Sequence, residues 1–588
     1  MTLRALRISL ATGSSQLEAL PRDVSNNYLG GRGAAAWLLA TSLDPDTGPL
    51  SPDNLLIFSA GPLAGVSPIA SGGFVVTTRS PLTRSIAHSW GLGGWGAALR
   101  RAGYDLLAVT GQSPEWCVIQ IDGEQVRLLP AQHLLGLDTV ATAQAIRGQL
   151  GDDFLTVCVG PAGEAGVAYA SIVGEGAYPA EPAGTGAVMA AKRIKAIAVR
   201  GTASLAPADR TRAEAVAASI RRRIAGSEVA AGVRQAGSLY FLSHADRLGA
   251  LTSRNGQDSQ APQIQQLARI ALAQQGKRAP RGCEGCPLPC HSAFVRKNGE
   301  PIAYPELEAL AGFGARCGIS SPDAVIVAND LCLRLGLDVV ETSAALAFMM
   351  ECQQEGLSTA GTLSWGDSDA LVGAIRRLGQ RHEKRDVLSL GVGEMQEVFW
   401  NSSTFAPQAK GLAMPALDPR ALHGVALALA TAPIGGDYRY SMFYEELLPE
   451  PPAWLSNDPA QPNAVRSRAA RLIWHERFAA ALDAAGLCRD LALLAFQVSP
   501  GDLAELLAAV LGRQMSGVEL ARLGERIVTL ERHLATRFGA APDGLPQRWS
   551  GAPLDELLPD YYRRHGWSET GVPSPARLAE LGITGLPD

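Results

Sequence analysis

Apolar positions change their spacing once along this chain. Up to about residue 203 they come as short β-branched runs, and 55–58, 74–78, 106–109 and 196–199 predict strands bounded by turn residues. Glycine clusters separate the runs at Gly30-Gly31-Arg32-Gly33, Gly72-Gly73, Gly91-Leu92-Gly93-Gly94 and Gly184-Thr185-Gly186. Taken one at a time, such clusters read as tight turns. They also let backbone N–H groups approach a phosphate or a heterocycle closely. No P-loop and no spaced dinucleotide fingerprint emerges, so a nucleotide cofactor is not supported. Beyond about residue 204 the period lengthens. Segments 213–224, 322–335, 341–355 and 369–378 repeat apolar residues at i, i+3 and i+4 and predict helices. Ser320-Ser321-Pro322-Asp323 reads as an N-cap with proline in the first turn. A second helical region runs over 408–588.

Composition narrows the class. A hydrophobic content of 47% and a charged content of 19% describe an ordinary soluble protein with ample core. The length of 588 residues fits roughly three domains. A net charge of −5 with no basic block gives no reason to expect nucleic acid. The first residues alternate and show no apolar signal region, and no membrane-spanning run is evident. Nine cysteines without a secretory signal point to a reducing cytoplasm, where thiols serve metals more often than disulfides.

Three of those cysteines crowd into Gly282-Cys283-Glu284-Gly285-Cys286-Pro287-Leu288-Pro289-Cys290. The glycines and prolines oppose a regular helix and favour a tight loop whose sulfurs converge. Soft thiolates select zinc, cuprous ion or an iron–sulfur cluster. Structural zinc usually takes two C-x-x-C pairs or a pair of histidines, whereas here a lone triplet precedes His291. Three clustered cysteines plus one distant cysteine suit a four-iron cluster. A zinc loop and unrelated buried cysteines remain the alternatives. Cys117, Cys158, Cys317, Cys332 and Cys352 lie in apolar or helical contexts that read as core. Cys488 differs, because it follows a glycine where a helix pattern ends. A similar ending occurs at Gly336-Leu337-Asp338, so the two runs read as equivalent positions around one centre.

These features resemble the aldehyde ferredoxin oxidoreductase family, tungsten enzymes with a bis-pterin cofactor and one four-iron cluster. The run Asp483 to Cys488 is similar to the family's D-x-x-G-L-C motif, and Gly336, Leu337 and Asp338 match its companion, with Leu333 where the companion's leading aspartate stands. Further resemblances lie at Tyr28-Leu29-Gly30-Gly31-Arg32-Gly33, Gly61-Pro62-Leu63, Ser80-Pro81-Leu82-Thr83, Gly160-Pro161-Ala162-Gly163-Glu164, Tyr304-Pro305-Glu306-Leu307-Glu308, 410–420 and 430–440. They span essentially the whole chain. The resemblance implies that Cys283, Cys286, Cys290 and Cys488 hold the cluster. It implies that Gly93, Gly184, Gly336, Leu337, Asp338, Asp483, Gly486 and Leu487 lie against the pterins. Glu308 is the candidate acid/base, and Tyr438, standing where the family commonly has histidine, the candidate for orienting substrate. A phenol with a pKa near 10 is not a near-neutral proton shuttle without a large shift.

The phosphate-facing positions depart from the family. Its S-G-R motif is Ser71-Gly72-Gly73 here, its asparagine is Trp90, and its second arginine position is Pro182 beside Glu181. Arginine–phosphate pairs set geometry as well as affinity. The expectation is iron near full occupancy with low tungsten or molybdenum, unless Arg79, Arg84 or Arg439 has moved in.

The expected fold is α+β. Residues 1–203 form a β-rich base, 204–407 a helical domain carrying the cysteine triplet and 408–588 a helical domain carrying the fourth cysteine, with the cofactor cavity between them. The expected function is aldehyde oxidation to a carboxylate by tungsten (or molybdenum) pterin, with electrons passed through the cluster to a ferredoxin-like partner. The alternative is a divergent non-catalytic paralogue that keeps the cluster as an electron-transfer or scaffold subunit.

Overall fold

The structure is a computed structural model that describes residues 2–274, 277–295, 299, 301–358, 363–380, 386–448 and 468–586. Its first third is one architecture used twice. The first six strands are β1 (Arg4–Ser9), β2 (Ser14–Ala19), β3 (Leu56–Ser59), β4 (Phe74–Arg79), β5 (Ile86–Gly91) and β6 (Leu106–Thr110). They form a sheet in the order β2-β1-β6-β3-β4-β5. The next six are β7 (Cys117–Asp122), β8 (Gln125–Pro130), β9 (Leu155–Val159), β10 (Ile172–Gly174), β11 (Tyr178–Ala180) and β12 (Ile194–Arg200). Their order, read from the other edge, is β8-β7-β12-β9-β10-β11, the same path through the sheet. Each sheet has one parallel pair, β1 with β6 and β7 with β12. The helices match too: Gly31–Ser42 and Thr139–Leu150 follow the first hairpins, and Trp95–Arg101 and Thr185–Ala191 precede the last strands.

Strand alternation assigns the faces. Leu56, Phe58, Leu107 and Val109 point into a core shared with Ile119, Val157 and Ile197 of the second sheet. Ile57, Leu106 and Ala108 point the other way, into a core with Leu38 and Leu39 of the Gly31–Ser42 helix and with Leu472, Leu482 and Leu530 of the C-terminal helices. The outer face of the second sheet, with Val118 and Cys158, is covered by Ile146 of its own helix.

The helices follow the sequence period. Pro322–Leu335 begins and ends where the pattern does, with Ser321 accepting from the Ala324 N–H and Gly336 closing the helix at φ 71°. The other three segments are found at Arg210–Gly226, Val339–Gln354 and Ser368–Leu378. The 204–407 stretch is not purely helical, however. Lys277–Arg281, His291–Val295 and Pro301–Ala303 form a three-stranded sheet. Arg281 pairs with His291, so the cysteine loop is the connection of a β-hairpin. Among the described residues no helix is long and apolar enough to cross a membrane.

Candidate active site and cluster loop

Two helix ends meet two strand ends. Strand β3 leads into Gly61-Pro62, and β9 leads into Gly160-Pro161. A Cβ on Gly61 would stand 2.1 Å from the Ala485 carbonyl carbon, and one on Gly160 would stand 2.2 Å from the Leu335 carbonyl oxygen. Glycine is required at both, because another backbone fills the place of a side chain. Leu63 N–H donates to Ala485 O, and Ser171 N–H donates to Gly336 O. Gly486, at φ 79°, and Gly336 therefore hold corresponding places in the two repeats. Gly93 precedes the Trp95–Arg101 helix, and Gly184 precedes Thr185–Ala191, both with positive φ.

The four cysteines named from the sequence line one small cavity together with Leu92, Leu288, Asp490 and Leu491. None is in a disulfide. The hairpin loop is pinned to the base, with Glu284 N–H donating to Gly93 O at 3.3 Å and Ala70 N–H donating to Gly285 O at 3.0 Å. Ala70 O in turn accepts the Cys488 N–H at 2.9 Å. Leu288 N–H donates to Cys286 Sγ at 3.4 Å, the kind of bond that stabilises a metal-bound thiolate. Burial pushes the Cys283 thiol up to about 11 and the Cys286 thiol up to about 12. Cys117, Cys158, Cys317, Cys332 and Cys352 are buried away from this loop, as core residues.

A second cavity, lined by Gly61, Gly72, Gly73, Gly486 and Leu487, adjoins the first at Cys283 and Cys488. A third, of about 250 Å³, is lined by Glu181, His291, Glu308, Leu333, Leu337, Arg439, Tyr444 and Arg489. Leu92 borders all three, and Trp90 and Arg489 stand between the larger two.

Glu308 reaches the wall of the third cavity. Tyr438 O–H donates to one of its oxygens at 2.6 Å, and Ala416 N–H donates to the other at 3.1 Å. Tyr438 itself is fully buried and stands behind Glu308, while Tyr444, which the sequence did not single out, takes the wall position. Burial and the Glu308 charge hold the Tyr438 hydroxyl protonated, well above the usual phenol range. A π-helical turn, Leu310–Arg316, follows Glu308, and a second, Asp490–Leu494, follows Cys488. Such wide turns recur at functional sites.

Asp483 lines the second cavity, whereas Asp338 is turned into the protein. Asp483 accepts from Trp90 Nε1 at 2.8 Å, Arg32 at 3.1 Å and Arg489 at 3.5 Å. Asp338, expected to face the cavity, is 3% exposed and caps the Val339–Gln354 helix by accepting from the Glu341 N–H. Its neighbours Leu337 and Val339 line the cavity instead. Arg79 does not compensate for the missing arginines, because it donates to the backbone of Thr47 and Arg84 and stacks on Phe538. Arg84 is exposed. Arg439 lines the cavity but is held by both oxygens of Asp437 at 2.7–3.0 Å. Arg489, which sequence reasoning missed, lies at the cavity wall next to Cys488. Its only sequence signal was that adjacency.

The family model described as "Aldehyde ferredoxin oxidoreductase, N-terminal domain" matches residues 5–201, and "Aldehyde ferredoxin oxidoreductase, domains 2 & 3" matches 215–583. The chain belongs to the aldehyde ferredoxin oxidoreductase family. It is 31% identical to a "Tungsten-containing aldehyde ferredoxin oxidoreductase" of Pyrococcus furiosus, over 99% of this chain and 98% of that protein. It is 22% identical to an "Aliphatic sulfonate oxidoreductase, WOR-like subunit" of the same organism, over 96% of this chain and 94% of that protein. The fold is similar to a chain of the solved "Active site complex BamBC of Benzoyl Coenzyme A reductase in complex with 1,5 Dienoyl-CoA", with TM-score 0.83 and 23% identity over 99% of this chain and 98% of that one.

The residues present fit the family's iron–sulfur cluster, since four thiols line one cavity with a backbone N–H on a sulfur. For the family's pterin pair the fit is partial. Glycine-rich turns of the first repeat wall the second cavity, but Gly93, Gly184 and Gly336 line none of the three, and Gly73, Trp90 and Pro182 supply no cation for phosphate.

Proposed function

We propose that this member is an oxidoreductase that converts an aldehyde to a carboxylic acid and passes the electrons through a four-iron cluster at Cys283, Cys286, Cys290 and Cys488 to a ferredoxin-like partner. The observation that carries the reading is the run of adjoining cavities from Glu308 to the four thiols, with Leu92 on the border of each. A tungsten (or molybdenum) pterin, when bound, supplies the two-electron chemistry. Aldehyde and water give the acid, two electrons and two protons. Glu308 is placed to accept a proton at its cavity-facing carboxylate. Tyr438 and Ala416 hold that carboxylate in one orientation by donating to its two oxygens. Leu92, Leu333 and Leu337 give the cavity an apolar wall that excludes water from the substrate body.

A second reading, a non-catalytic paralogue that keeps the cluster, is favoured by Trp90 and Glu181 at the phosphate-facing positions. One experiment separates the two. Anaerobically purified protein is analysed for iron, tungsten and molybdenum, and aldehyde-dependent reduction of a viologen dye is followed. The enzyme reading expects about four irons per chain, measurable tungsten or molybdenum, and dye reduction. It further expects Glu308→Gln to lower turnover about 10²–10⁴-fold with iron content unchanged. Iron without either metal, and no dye reduction, establishes the paralogue.

A further inference from the structure

One cation at the cavity wall is left with an idle donor. Arg489 is 6% exposed, and its guanidinium lies 3.9 Å from the centre of the Trp90 ring. Its Nη1 reaches Asp483 only at 3.5 Å, the outer limit of a hydrogen bond. Its Nη2 is buried and has no hydrogen-bond partner. Two neighbouring arginines are held by carboxylates. Arg32 is bidentate to Glu531 at 2.7–2.8 Å and also holds Asp483, and Arg439 is bidentate to Asp437. A buried cationic N–H without an acceptor is costly, and an arriving acceptor relieves that cost. Arg489 borders both the 250 Å³ cavity and the glycine-lined one.

We infer that Arg489, backed by Trp90, is a seat for an oxyanion carried by the molecule that enters the larger cavity. A planar guanidinium stacked on one face keeps its edge free for the two oxygens of a carboxylate or sulfonate. Glu306, Glu308 and Asp490 border this cavity against Arg281, Arg439 and His291, so a single negative charge suits it better than two. The apolar wall at Leu92, Leu333 and Leu337 takes an uncharged body. The ligand class is therefore a small organic monoanion with an apolar body. On the functional reading above, it is an aldehyde whose far end carries a carboxylate or sulfonate. A cofactor phosphate is the other source of the same chemistry.

The test is calorimetric titration of the anaerobic full-length protein with benzoate, with benzamide as the neutral counterpart, and with inorganic phosphate. Wild type, Arg489→Gln and Arg489→Lys are compared, each checked by thermal melting and tungsten content. The expected result is benzoate binding that falls at least about tenfold in Arg489→Gln and recovers in part in Arg489→Lys, with benzamide binding the same throughout. Unchanged benzoate binding together with lowered tungsten and lost phosphate binding in Arg489→Gln assigns the seat to the cofactor phosphate. Identical binding of all three probes and identical tungsten content across the variants overturn the seat. The lysine variant keeps the charge beside Asp483, so a misfolded glutamine variant leaves the comparison intact. The titration needs no turnover. A protein that binds benzoate through Arg489 yet oxidises no aldehyde sinks the functional reading and leaves the seat standing.

Discussion

The two repeats of the β-rich base offer the same backbone to the cavity but surround it with different charge. On the first repeat's side, Asp483 and Glu531 are matched by Arg32 and Arg489, with His88 Nε2 2.9 Å from Glu531 and Tyr440 donating to it at 2.6 Å. On the second side, Asp338, Glu181 and Asp437 gather around Arg439. Against the effect of burial, Arg32 and the His88 ring hold the Glu531 carboxyl well below the usual range. Burial and the neighbouring Asp338 push Glu181 well above it, and burial raises Asp338 as well. One side sets arginines against its carboxylates, and the other crowds carboxyls whose hold on protons is raised. The shared fold therefore sets where groups stand, and local side chains set the charge that each half presents.

The sharpest way to break this contrast is Arg32→Met. It strands two buried carboxylates, at side-chain exposures of 0% and 4%, and is expected to cost about 3–5 kcal/mol in urea unfolding. Arg439→Met should cost less at acid pH, because Glu181 and Asp338 take up protons there. An equal loss from both variants at every pH would mean that the two sides do not differ. Backbone equivalence is tested next by Gly61→Ala and Gly160→Ala. Each forces a Cβ against backbone and is expected to lose about 1–3 kcal/mol, with matching values if the two turns are equivalent.

The smallest effect is a pH dependence. The folded values of Glu181 and Asp338 are raised, so their contribution to stability is present below the ordinary carboxylate range and lost as pH rises through the folded values. Glu181→Gln should flatten that fall, by roughly 1.4 kcal/mol for each unit of raised pKa removed. Glu531 is depressed, so its contribution is present above the ordinary range and lost as pH falls. Unfolding midpoints measured from pH 5 to 8 decide the matter, and a Glu181→Gln curve parallel to wild type would remove that raised hold on protons.

Period and capping made the helices legible: Pro322 to Leu335 could be bounded because proline, serine and glycine mark its ends. The cysteine set was legible from spacing and from the glycine before Cys488. The repeat was not, because topology is carried by sheet order, and only the Gly-Pro pairs at 61–62 and 160–161 echo it in sequence. In sequence the glycine clusters read as turns or ligand approaches. Gly31 instead lies in a helix packed on Asp483, whose carbonyl oxygen would stand 2.1 Å from an added Cβ. Arg489 and Tyr444 were missed because their placement depends on contacts between distant segments, which no local pattern encodes.

Ala70 donates to Gly285 and accepts from Cys488, so one residue of the base ties together two segments that bring sulfur to the same cavity from about two hundred positions apart. The spacing of the thiols is therefore not a property of the cysteine loop alone. It is set only when the N-terminal turn is seated between the hairpin and the helix end. Loosening of the base at Ala70 is transmitted to the sulfurs as a change in their separation.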